Sequence, residues 1–391
     1  MKKIVMFQGD IETQGYFSEQ MTKAFRDMGH EVLLYDLSKP WEYTGKLLRF
    51  VERGNTVMIT FNFHGICGEV QFQDENGEWF WDAMDVPCYN IVVDHPMYYY
   101  TLLAMRPRNY VQISIDREHE RFMNRFFPEI TTGLFLPLAG TSLFPKGNYP
   151  RMDKRCCDVV MTGNYAAPER FEKYINRLGE EYAAFYRGMI DELLACPEKC
   201  VTDVCIAHIE REIPEVTEEE LKITMSNLTF IDLYVRHVLR RDVVRTLVDG
   251  GIRVHVFGGR WNEMQCEHPE NLINENGKNS EECLKAIARG KISLNVMPWF
   301  KEGAHDRIYN SMCNGAVCLT DSNSYLDGIL RNNENCLIYS ATDLCKLPDM
   351  VQELLQDTGR AQRIADNGFQ MAMAGQTWAE RCRSLHELIE A

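Results

Sequence analysis

Short apolar runs alternate with amphipathic stretches through the first third of the chain. Lys3–Phe7 (KIVMF), Glu31–Tyr35, Thr56–Phe61 (TVMITF), Tyr89–Val93 (YNIVV), Val111–Ile115 and Gly133–Leu136 read as strands, because each is short and bounded by turn residues. Phe17–Met28, stopped by Gly29, and Gly45–Arg53 read as helices between them. Strands alternating with helices imply a parallel sheet covered on both faces. Ligands of such sheets bind beyond the strand C-termini. That draws attention to Gln8–Gly15, Asn62–His64, Asp94-His95-Pro96, Asp116 and Leu138-Ala139-Gly140.

Pro145–Pro150 (PKGNYP) has the composition of a linker, and a second alternation follows it. Cys157–Thr162, Arg253–Phe257, Ile292–Val296, Ala316–Thr320 and Cys336–Tyr339 read as strands. Ser280–Arg289, with Ser280 as its N-cap, Asp306–Cys313, Leu347–Gly368 and Trp378–Glu390 read as helices. The stretch 166–249 is helical and longer than a crossover needs, so it reads as an insertion. The expected class is therefore α/β, with two Rossmann-like domains over 1–150 and 151–370 and a helical insertion at about 166–249. A length of 391 residues suits two domains.

Composition narrows the functions. The net charge is −15 and no basic stripe appears, which excludes a nucleic-acid partner, since phosphate contacts dominate such binding. No run approaches the roughly 20 apolar residues of a membrane span, and Ile4–Phe7 is too short for a signal peptide core. A cytoplasmic location is expected, with the 14 cysteines as reduced thiols. The first strand leads into QGDIETQG and not G-x-G-x-x-G, which argues against a dinucleotide oxidoreductase.

The most informative segment is Ile292–Ser322, ISLNVMPWFKEGAHDRIYNSMCNGAVCLTDS. It reads strand, loop, helix, glycine stop, strand. The loop EGAHDR opens the helix, where free N–H groups and the helix dipole favour a diphosphate. Gly303 permits close backbone approach, Arg307 offers a forked phosphate contact, His305 a further hydrogen bond, and Asn310 a contact to a ribose hydroxyl.

His305-Asp306-Arg307, Tyr309-Asn310 and Gly315 resemble the motif of the CgeB/YkvP-like glycosyltransferases. Asp94-His95-Pro96, Phe135–Gly140 and Phe257–Trp261 extend the resemblance weakly across the chain. The resemblance implies a GT-B arrangement, with a nucleotide sugar held by the C-terminal domain and the acceptor served by the N-terminal one. It implies that the terminal helix, within 371–391, crosses back to the N-terminal domain. The implied activity is metal-independent transfer of a sugar from a nucleoside diphosphate sugar, with a UDP-sugar favoured and no cofactor. The acceptor class is a protein, a glycan or a small molecule. Retaining GT-B enzymes often carry two glutamates eight positions apart here; this chain has Glu302 and Asn310, which leaves the stereochemical outcome open. His95 resembles the N-domain histidine near the donor sugar. An inverting reaction would take Asp94 or His95 as its base, and His64 is the weaker rival.

Other positions have two readings each. Gly163-Asn164, Gly259-Arg260 and Gly277-Lys278 are phosphate or base contacts, or plain turns. Asp94 and His95 are catalytic, or cap the turn into Pro96. Cys196, Cys200, Cys205 and His208 lack the paired spacing of a zinc site, so no metal is expected. Arg236, Arg240, Arg241 and Arg245 have helical spacing, which reads as a solvated face or a surface for an acidic acceptor. A sugar-nucleotide epimerase or hydrolase of the same fold, or a non-catalytic nucleotide-sugar-binding protein, are the alternative functions.

Overall fold

The computed structural model describes residues 1–277, 279–297 and 300–390. The chain divides into two compact units. Met1–Leu138 and the segment from Trp378 onward form one, and Ala139–Thr377 the other.

The first unit carries β1 (Lys3–Gln8), β2 (Glu31–Asp36), β3 (Thr56–Phe61), β4 (Cys88–Val92), β5 (Tyr110–Ser114) and β6 (Thr131–Phe135). They form one parallel sheet in the order β2-β1-β3-β4-β5-β6. All six residues of β3 are buried, as expected of a central strand covered on both faces. The helix Trp378–Glu390 packs on Glu12–Asp27 and belongs to this unit. Its Trp378 is 4% exposed. Its ring lies 4.7 Å from that of Phe17 and 6.0 Å from that of Phe61. Arg381 donates to the carbonyls of Pro137 and Leu138 at 2.6 and 3.2 Å, which pins the helix to the end of the first unit.

The second unit carries β7 (Cys157–Thr162), β8 (Val254–Phe257), β9 (Leu272–Asn274), β10 (Gly290–Leu294), β11 (Val317–Thr320) and β12 (Leu337–Ile338). These are also parallel, in the order β12-β11-β10-β7-β8-β9. The order reverses between β7 and β10, so strand-end loops diverge there. Between β7 and β8 lie the helices Glu180–Ala195, Val201–Glu212, Glu218–Ser226 and Thr229–Asp249. The last returns to the sheet, burying Val243, Val244, Leu247 and Val248 in the core.

Several boundaries differ from the sequence expectation. The break between units lies at Leu138/Ala139, not near 150. The segment after it is bound to the helix Asp306–Cys313: Thr141 and Leu143 donate their N–H groups to the side chains of Asn310 and Asn314 at 2.8 and 2.9 Å. The N-cap of Ser280–Arg289 is Asn279, not Ser280, in a capping box with Glu282, because an Asn side chain reaches the N3 amide as well as a serine does. Leu347–Gly368 is two helices, Leu347–Gln356 and Thr358–Gly375, divided where Asp357 caps the second. The short strand β9 has no counterpart among the expected elements.

Truncation of Trp378 removes the aromatic contacts that dock the terminal helix. We expect Trp378→Ala to destabilise the first unit by about 3–5 kcal/mol, read as a lowered denaturation midpoint. An unchanged midpoint would show that the helix docks by its polar contacts alone.

Candidate functional site

Arg307, the second residue of the helix Asp306–Cys313, lies where β7 and β10 diverge. Its Nε donates to Asn295 Oδ1 at 3.1 Å and its Nη2 to Val296 O at 3.4 Å, both just beyond β10. Its Nη1 faces Gly163, just beyond β7: a side chain built on that glycine would put its Cβ 3.2 Å from Nη1. Gly163 also holds φ +136°, a backbone region closed to most L side chains. The glycine therefore keeps the front of the guanidinium open. Arg307 is 7% exposed, and burial lowers its pKa, with Asp306 and Asp321 opposing.

His305 stands at the N-cap position of the helix. Its Nδ1 lies 3.2 Å from Arg307 N and 2.5 Å from Asp306 Oδ1. One nitrogen cannot both accept from the amide and donate to the carboxylate. We assign the proton to Nδ1, because a lone pair 2.5 Å from a carboxylate oxygen is repulsive. Nε2 is then an acceptor. Burial, then the charge of Arg307, pushes the His305 pKa down to about 4, so the ring is neutral near pH 7. Burial raises Asp306, but His305 and Arg307 outweigh it and hold the carboxyl below its ordinary range. Asp321, beyond β11, accepts from Met297 N at 3.1 and 3.2 Å, and burial lifts its pKa to about 6.

The remaining expected donor residues divide. Asn310 donates to Asp306 Oδ2 at 2.9 Å and accepts from Thr141 N at 2.8 Å, so its amide is used within the unit and a ribose contact has to compete with those bonds. Gly303 O accepts from Asn323 Nδ2 at 2.9 Å. Glu302 lines a cavity of about 480 Å³ with Lys301, Asp321 and Tyr339. Gly259 N donates to Asn164 Oδ1 at 2.8 Å, which joins the β7 and β8 loops. Arg260 is exposed in a left-handed conformation, and Gly277 is exposed with open space around it. Lys278 lies outside the described residues. Of the cysteine cluster, Cys205 is buried, and His208 is taken by Glu192 and Arg211, each at 2.8 Å.

In the first unit, Asp94 is half-buried at the end of β4. Its Oδ2 accepts from Asn62 Nδ2 at 3.0 Å and from the Tyr99 hydroxyl at 3.1 Å. His95 is 3% exposed. Its Nδ1 accepts from Met97 N at 3.1 Å, so Nε2 carries the proton and faces Glu118 Oε2 at 3.1 Å. His119 stands beside them, its ring 4.9 Å from that of His95. His95, Glu118 and His119 are close enough to share a cation, but the Met97 amide fixes His95 as a donor to Glu118, the geometry of a buried hydrogen-bond network. His64 is buried with Nε2 3.3 Å from Asp10 Oδ2. Burial lowers its pKa, against Asp10 and Glu69.

Sequence reasoning did not single out Arg240, reading it with its neighbours as a solvated face or a surface for an acidic acceptor. It is 8% exposed, and its Nη1 donates to Asn164 O. Burial, then Arg307, then Arg236 depress its pKa. The four-residue spacing of arginines gave no sign of this, because burial depends on which helix face meets the sheet.

Residues 236–387 match a family model described as glycosyl transferase-like. No curated protein matches the sequence. Solved structures of similar fold include HepE of Anabaena in complex with UDP and glucose (9% identity, TM-score 0.54, all of both chains covered). An alpha-glucosyltransferase in complex with UDP and a mismatched 13-mer DNA is similar at 11% identity and TM-score 0.54, again over all of both chains. Sucrose-phosphate synthase of Thermosynechococcus elongatus is similar at 10% identity and TM-score 0.50, over all of this chain and 98% of that one. The fold is thus that of GT-B glycosyltransferases.

His305 gives a pH test. Its folded pKa, about 4, lies below the unfolded value of about 6.5, so the unfolded chain binds the extra proton first. Stability is therefore lost as pH falls from about 6.5 to about 4, by up to about 3 kcal/mol. His305→Gln should flatten that part of the stability–pH curve. An unchanged slope would show that His305 protonates freely in the folded chain.

Proposed function

We propose that this chain transfers a glycosyl group from a nucleoside diphosphate sugar to an acceptor hydroxyl or similar nucleophile. The observation that carries this reading is the buried Arg307, set at the strand-order reversal of the second unit and opening a helix with His305 and Asp306. The GT-B fold and the glycosyl transferase-like match over residues 236–387 support it. UDP in the complexes of similar structures favours a UDP-sugar. We place the chain with the CgeB/YkvP-like enzymes on the His305-Asp306-Arg307 and Tyr309-Asn310 motif, and its reaction in the cytoplasm.

In the reaction, the bond between the anomeric carbon and the β-phosphate oxygen breaks, and a bond to the acceptor oxygen forms. Negative charge gathers on the leaving diphosphate. Arg307 and the N–H groups at the helix start neutralise it from a site of low dielectric, where each donor is worth more than in water. Such a site neutralises the diphosphate without a cation, so we assign it no metal and no cofactor. Where the outcome is inversion, the acceptor proton goes to a base, and Asp94 is our choice. Its carboxylate is oriented by Asn62 and Tyr99, and the His95–Glu118 pair stiffens the turn behind it. His64 is the alternative base.

Arg307→Ala should weaken nucleoside diphosphate binding by about 1.5–3 kcal/mol, the worth of a charge-assisted hydrogen bond. Calorimetry on the folded variant checks this, and unchanged affinity would remove the assignment. Asp94→Asn should lower kcat and kcat/KM together and leave nucleotide affinity intact. Normal single-turnover transfer in that variant would move attention to His64. Transfer should persist in EDTA; its loss on chelation would reveal a metal requirement.

A further inference from the structure

The inserted helices Glu180–Ala195 and Val201–Glu212 pack on one another and leave a cavity of about 520 Å³ between them. That volume falls in the range of about 300–1,000 Å³ usual for small-molecule sites. Its apolar wall is Tyr182, Phe185 and Ile213. Tyr182 is 52% and Ile213 55% exposed, so two large apolar side chains line one space uncovered.

Glu181, Phe185, Gly188 and Glu192 recur at spacings of three and four and so share a face of their helix. Gly188 lets the second helix come close: a Cβ there would stand 3.3 Å from His208 Cε1. The buried His208 then bridges the two helices. Its Nδ1 accepts from Arg211 Nη2 at 2.8 Å, so Nε2 carries the proton and donates to Glu192 Oε2, also at 2.8 Å. Lys199 holds the other oxygen of Glu192 at 2.7 Å. This series of bonds fixes the Arg211 guanidinium at the cavity.

Among the described residues, His208 is the one hydrogen-bond partner of Arg211, and no carboxylate pairs with it. Glu181 and Glu212 line the same cavity, both exposed, and neither pairs with a cation among the described residues. The cavity thus sets one guanidinium and two carboxylates beside an apolar wall. A simple anion would meet the two carboxylates, and a simple cation would meet the guanidinium. A molecule carrying a carboxylate, an ammonium group and a ring matches all three parts of the lining.

We propose that this cavity binds an aromatic α-amino acid. Arg211 takes its carboxylate through the N–H groups that His208 does not use. Glu181 and Glu212 take its ammonium group, and its ring lies against Tyr182 and Phe185. The inserted segment is then a ligand-binding module in its own right, and the inference stands whether or not the chain transfers sugars.

The test is calorimetry near pH 7 on the full chain, with L-phenylalanine as the probe and 3-phenylpropanoate and 2-phenylethylamine as its single-charge analogues. Phenylalanine should bind, and each analogue should bind at least about tenfold more weakly, the effect of losing one charged hydrogen-bond partner. Arg211→Gln should weaken phenylalanine by a similar factor, as should Glu181→Gln and Glu212→Gln together. Arg187→Gln, on the same helix but paired with Glu172 at 2.6 Å, should leave the affinity unchanged. Arg211 and both glutamates are exposed, so these variants should fold as the unaltered protein does. If Arg211→Gln does not fold, Ala184→Trp decides. Ala184 is exposed and lines the cavity, and an indole there fills it, so loss of binding supports the site and equal affinity overturns it. Failure of the unaltered protein to bind phenylalanine overturns the proposal. So does binding that survives Arg211→Gln, and so does a single-charge analogue that binds as tightly as phenylalanine.

Discussion

A guanidinium buried where two neighbouring parallel strands part is the constraint around which the second unit is organised. Arg307 cannot leave its charge unsolvated, so its surroundings must supply what water would. Asn295 and Val296 supply oxygen acceptors from the end of β10, and the carboxylates of Asp306 and Asp321 oppose the effect of burial. A side chain at 163 would put its Cβ 3.2 Å from Nη1, and glycine stands there. Each of these residues looks unremarkable in isolation. Together they hold one cation in one direction, at the place in a doubly wound sheet where ligands bind.

The first unit solves a different problem at its strand ends. There the polar groups are carboxylates, amides and imidazoles that satisfy one another. Asp94 is held by Asn62 and Tyr99, and Asn62 also accepts from Val93 N at 2.8 Å. The ends of β3 and β4 are thereby tied. Behind them, His95 and Glu118 are buried as a pair, and Glu118 N is bonded to the cap residue Asp116 at 2.8 Å. A satisfied buried network rigidifies its surroundings. The half-buried carboxylate in front of it is therefore presented on a stiff edge.

Much of this was legible in the sequence, for identifiable reasons. Strands such as TVMITF are continuous apolar runs, so eleven of the twelve strands among the described residues could be read directly from apolarity and turn residues. β9 is only Leu272–Asn274, half-buried throughout, and three residues carry no period. The helix start at His305-Asp306-Arg307 was visible because strand, loop, helix and glycine follow one another without interruption. The use of Asn310 was not, because its partner Thr141 lies 169 positions away. The same long-range bonds draw residues 139–144 into the second unit, although the local turn signals begin only at Pro145. Arg240 was misjudged for the converse reason. Four arginines at helical spacing describe a helix face well, but not which of them meets the protein.

The inserted helices between β7 and β8 bring a second guanidinium, that of Arg240, to the loop after β7. Routing the chain through Thr229–Asp249 lets one helix do two tasks. Val243, Val244, Leu247 and Val248 anchor its later turns in the core, and that anchorage fixes the height at which Arg240 meets Asn164. A side chain delivered by a packed helix is already ordered, so holding it in one direction costs little further entropy. The apolar packing of the helix thus sets where the guanidinium stands, and a substitution at Leu247 would be felt at the Arg240–Asn164 bond without touching it.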